Sequence, residues 1–170
     1  MILSSHIIVA SATSAPFLAK TLNFQNAVFI LFASLASHFL IDMIPHWDYQ
    51  MSSFPKENGE RLFVRKTSFF IKDLTKNFLD FFAGIAVAVF IVGWPQNFMG
   101  FLAFGLVIFG AILPDALAAI FIISKWRFLE PLYKFHVAIH GKRIINPFWG
   151  FISQIFILVF IVLIFRVILS

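Results

Sequence analysis

The chain has 170 residues, of which 61% are hydrophobic and 12% charged; its formal net charge is +5 and it has no cysteine. A soluble domain carries about 25% charged residues, so this composition excludes an ordinary soluble fold, and the missing thiols exclude disulfides and thiolate metal sites. The basic excess falls in loops between apolar runs, where membrane orientation and anionic headgroups explain it better than nucleic acid does.

Five apolar segments predict an all-α, single-domain membrane bundle of about five transmembrane helices, since roughly 20 apolar residues cross a bilayer. The first, residues 2–18, lacks a basic start, is interrupted by His6 and is rich in serine and alanine. It reads as a retained helix suited to close packing rather than as a signal peptide. The second covers 27–44, the third 78–94, the fourth 98–123 and the fifth 148–169, with a tight turn at 94–97 between the third and fourth.

Charge sets the expected orientation. Loop 47–77 holds Lys56, Arg61, Arg65, Lys66, Lys72 and Lys76; loop 124–143 holds Lys125, Arg127, Lys134, Lys142 and Arg143. The turn at 94–97 has no basic residue. The positive-inside rule therefore makes both loops cytoplasmic, with the N-terminus inside and the C-terminus outside an inner membrane. Lys20 runs against this, and Arg166 can snorkel.

Ionisable groups in membrane segments are costly, and each is a candidate for function. In this topology all five histidines reach the inner side: His6, His38, His46, His136 and His140. Asp42, Asp48, Asp80 and Asp115 join them at that depth. His38 and Asp42 are four apart and share a helix face; Pro45 then breaks the helix and lets His46 and Asp48 fold back. His136 and His140 repeat the four-residue spacing, which commonly sets two ligands on one cation. Pro114 is expected to loosen the fourth helix and turn Asp115 inward.

These residues predict a metal cluster of His6, His38, Asp42, His46, Asp115, His136 and His140. Asp48 is expected to orient His46 or to bind metal, and Asp80 to begin the third helix as an N-cap or to bind metal. Asp73, Glu57, Glu60 and Glu130 read as solvated loop carboxylates. Without thiols the cation must be held by imidazole and carboxylate.

The segment from His38 through Asp42 and Pro45 to His46 resembles the histidine–aspartate–histidine motif of the zinc-dependent phospholipase C and single-strand nuclease superfamily. With the early histidine, the Pro114-Asp115 step and the late histidine pair, the chain also looks like the bacterial membrane-bound metal-dependent hydrolases. It departs from them in lacking a His-Arg-Gly and Thr-His-Ser element after the Pro-Asp step, for which only residues 135–141 stand in. The resemblance implies an all-helical hydrolase of phosphoesters that binds one to three divalent ions, Zn²⁺ first and Mn²⁺ second. Asp42 or Asp115 would accept the proton, and Lys142 and Arg143 would hold the phosphate of a lipid, polyprenyl or soluble substrate. A transport or metal-handling protein using the same residues is the alternative, and a structural role the third.

Overall fold

A computed structural model describes residues 2–48, 50–57, 60–140 and 146–169. Among them are six α-helices: α1 (Leu3–Leu18), α2 (Phe24–Asp42), α3 (Thr67–Val92), α4 (Phe98–Ser124), α5 (Glu130–Ile139) and α6 (Pro147–Leu169). A minimal antiparallel pair, β1 (Lys56–Glu57) and β2 (Glu60–Arg61), lies between α2 and α3. The fold is an all-α bundle. α2, α3, α4 and α6 are long and apolar enough to cross a membrane, and α1 is a shorter apolar helix.

The bundle buries ionisable groups beside its apolar core and exposes large apolar side chains. Phe24 and Phe90 are 87% and 90% exposed, whereas His6, His38, Asp42 and His46 are all buried. That arrangement suits a hydrocarbon solvent, which rewards bonded polar groups in the interior and accepts apolar surface.

α1 is the central element and packs on α2, α3, α4 and α6. Its small residues make this possible: Ser4, Ser5, Ala10, Ser11, Ala12 and Ser14 are all buried. Ser14 Oγ meets Ser34 Oγ of α2 at 3.2 Å. Ile7, Ile30, Phe104 and Val107 close an apolar core around it. Asn23 and Asn97 begin α2 and α4 as N-caps, accepting from the amides of Asn26 and Gly100 at 2.8 Å.

Two expected boundaries are revised. α3 begins at Thr67, so the end of the expected 47–77 loop is helical. The charges of Lys72, Asp73 and Lys76 disguise a helix that is amphipathic at this end. Asp73 is not solvated: it is 4% exposed and accepts from the amides of Ser52 and Ser53 at 3.0 and 2.6 Å. It thereby anchors the segment that follows α2. The stretch before the histidine pair also forms a helix, α5, with a proline in its first turn, where a missing amide costs nothing.

Candidate metal centre

Asp42 ends α2 and is the hub of the site. Three imidazoles point a nitrogen at its carboxylate: His6 Nε2 lies 3.3 Å from Oδ1, and His38 Nε2 and His136 Nε2 lie 3.2 and 3.1 Å from Oδ2. They come from α1, α2 and α5, so the three elements converge on one buried carboxylate. His6 also stacks on His38, with centroids 3.9 Å apart and planes 19° from parallel.

Backbone contacts fix which nitrogen of two rings faces inward. His38 Nδ1–H donates to the Ala111 carbonyl of α4 at 2.7 Å, and His46 Nδ1–H donates to the Ile44 carbonyl at 2.7 Å. Each bond leaves Nε2 with its lone pair, the form in which histidine binds metal. Burial lowers the His46 pKa to about 4, so that imidazole is neutral near pH 7. Nδ1 of His6 and Nδ1 of His136 are buried without a hydrogen-bond partner among the described residues. Three imidazole nitrogens crowded on one carboxylate in an apolar bundle call for a proton or a cation among them.

Two groups of donors are close enough to hold a cation. His38, Asp42, Asp115 and His136 form the first; Asp42, His46 and His140 form the second. Tetrahedral ligation at about 2.0–2.1 Å separates ligand atoms by about 3.3–3.4 Å. In the first group the His38 and His136 nitrogens lie 4.0 and 3.6 Å from Asp115 Oδ1 and closer to Asp42, so small adjustments would close the shell. Asp42 belongs to both groups.

α4 continues through Pro114 to Ser124, so the Pro-Asp step is not a helix end. Asp115 nevertheless faces the cluster, with 44% of its side chain exposed. The histidine pair is divided between the two groups. α5 ends at Ile139, and His140 has left helical geometry with φ −56° and ψ 118°. Its ring turns to His46, at a centroid distance of 4.6 Å, while His136 stays with Asp42 and Asp115.

Asp80 lies within α3 rather than at its start, because that helix begins earlier than its apolar run. It accepts from the amide of Ser4 at 3.2 Å. Asp80 thus caps α1, whose own N-cap residue, Ile2, offers no side-chain bond. Neither Asp80 nor Asp48 belongs to the two groups. Lys142 and Arg143 lie outside the described residues.

Gln154 of α6 escaped the sequence reading, although it is 1% exposed and donates through Nε2 to the Trp47 carbonyl beside His46. A lone carboxamide in an apolar run was the signal that could have found it. A cavity of about 630 Å³ at the far end of the helices is lined by Lys20, Trp94, Gln96 and Asn97, among others. It offers no imidazole or carboxylate, so it is not the chemical centre. Models of known protein families, curated proteins and solved structures, each compared with this chain, yield no match.

Proposed function

We propose that this chain is a divalent-metal-dependent hydrolase of phosphoesters, embedded in the inner membrane with its site at the cytoplasmic face. The observation that carries the reading is the buried Asp42 carboxylate met by three imidazole nitrogens from three helices. The motif resemblance of residues 38–46 agrees with it, and lipid or polyprenyl phosphates are the favoured substrates because the site lies at a membrane surface.

His38, Asp42, Asp115 and His136 would hold one ion and Asp42, His46 and His140 another, within the expected one to three. His6 supports Asp42 from behind. Zinc fits the imidazole-rich donor set, with manganese as the second choice. A bound ion supplies Lewis acidity toward a phosphoryl oxygen and makes a water acidic near neutral pH. The two carboxylates then take different parts. Asp42 is enclosed and would be a ligand at both positions, whereas the open side chain of Asp115 is the one placed to take a proton. A transport role fits less well, because Ile7, Ile30, Phe104 and Val107 form a continuous apolar core in the bundle.

The test is elemental analysis of detergent-purified protein together with hydrolysis of phosphoesters of increasing chain length. Bound zinc or manganese, activity lost to chelation and restored by the metal, and a fall of about 10²–10⁴-fold in kcat for Asp115→Asn are expected. Protein that carries metal but cleaves no phosphoester refutes the enzymatic reading; protein that binds no divalent ion refutes the metal centre.

Orientation has its own test. Single cysteines at Lys66 or Lys134 should resist an impermeant thiol reagent in intact cells, whereas one at Gln96 should react, because eleven of the thirteen basic residues lie in segments 47–77 and 124–143. The reverse labelling pattern would move the site to the outer face.

A further inference from the structure

α6 is largely an unbroken apolar run, yet one of its faces carries Gly150 and, one turn later, Gln154. Residues four apart share a helix face. A buried carboxamide is expensive in a membrane helix unless it is bonded, and the bond Gln154 makes is specific: Nε2 donates to the backbone carbonyl of Trp47. Gly150 receives the same residue, since a Cβ there would overlap Trp47 Cβ. Both contacts of this face therefore fall on Trp47, the neighbour of His46.

The segment they hold follows the end of α2, and Pro45 brings no amide to it. Within it the Nδ1–H of His46 donates to the carbonyl of Ile44 at 2.7 Å, which orients the ring relative to its own chain. Gln154 and Gly150 tie that same stretch to α6.

We infer that Gln154, seated beside Gly150, is a positioning residue for the metal centre: it clamps Trp47 so that the His46 imidazole faces Asp42 and His140. The inference rests on the two-position reading of the cluster and assigns α6 to one position. The other position is held elsewhere, by His38 anchored on Ala111 and by Asp115 and His136 of α4 and α5. Loss of the clamp should therefore weaken one ion and spare the other.

The full-length protein in detergent, stripped of metal, would be titrated with Zn²⁺ against a chromogenic chelator. The wild type should take up about two ions, one at each position. Gln154→Met and Gly150→Ala disturb the same contact in different ways, and each should weaken one of the two positions by about 10–100-fold, the usual effect of losing a partner that orients a ligand. Val159→Ala, on the lipid-facing side of α6 at 51% exposure, should change neither. Equal weakening of both positions would make α6 a general support of the bundle, and unchanged affinities in both variants would show that the clamp has no bearing on His46; either result overturns the inference alone. A wild type that binds one ion or none overturns the two-position reading as well.

Discussion

Asp42→Asn should strip the protein of divalent ions while leaving the bundle folded. Both donor groups include Asp42, so no cation position survives its loss intact. The amide keeps the shape of the carboxylate but not its charge, and one of its two ends becomes a donor. His6 Nε2 lies 3.3 Å from Oδ1, and His38 and His136 Nε2 lie 3.2 and 3.1 Å from Oδ2. The amide nitrogen then faces either His6 Nε2 or the Nε2 atoms of His38 and His136, and in both orientations the negative charge that would hold a cation is gone. Affinity should fall by more than about 100-fold, beyond the range for residues that merely orient a ligand. His140→Ala is the informative contrast. It removes a donor from the second group only, so bound metal should fall by one ion rather than to zero. Elemental analysis of the two variants beside the wild type decides the point. Full occupancy in Asp42→Asn would show that the carboxylate is not shared.

Gly110→Leu should separate α4 from α2 and damage fold and site together. A Cβ at Gly110 would lie 2.7 Å from Ser34 Cβ and 3.4 Å from the Leu31 carbonyl oxygen, closer than packed carbons come. Ser34 has little room to yield, because its Oγ is bonded to Ile30 O at 2.8 Å and meets Ser14 Oγ at 3.2 Å. Overpacking of this kind costs about 1–3 kcal/mol. The next residue, Ala111, supplies the carbonyl that holds His38, so displacing α4 also loosens a candidate ligand. Gly105 on the same helix has open space around it and serves as the control. Gly105→Leu should leave stability unchanged or raise it, since glycine is a poor helix former. Thermal unfolding in detergent, followed by tryptophan fluorescence, reads both. A Gly110→Leu variant that melts with the wild type would mean that the two helices do not meet at this glycine.

Much of this architecture was legible in the chain. Apolar runs long enough for a bilayer placed α1, α2, α4 and α6 to within a few residues, because hydrocarbon leaves helices little alternative. The grouping of His38, Asp42, Asp115 and His136 was legible too, since ionisable residues in apolar helices have few affordable positions and these shared a depth. What escaped depended on contacts between distant segments. Asp73 looked like a loop charge because the amides that neutralise it belong to Ser52 and Ser53, which no local pattern pairs with it. Asp80 was expected to cap its own helix or to bind metal and instead caps α1, bonding an amide 76 residues away in sequence. The His136–His140 spacing implied a shared cation, but spacing is informative only while the helix lasts, and α5 ends between them.

The burial of α1 has a consequence for how the chain enters a membrane. At 16 residues it is about 24 Å long, against a hydrocarbon thickness of about 30 Å, and its interior holds serines and a histidine. Its length alone leaves α1 short of that thickness, and the surfaces it packs on belong to α2, α3, α4 and α6, all of which follow it in the chain. The first helix to be made is thus the one whose final surroundings are made last.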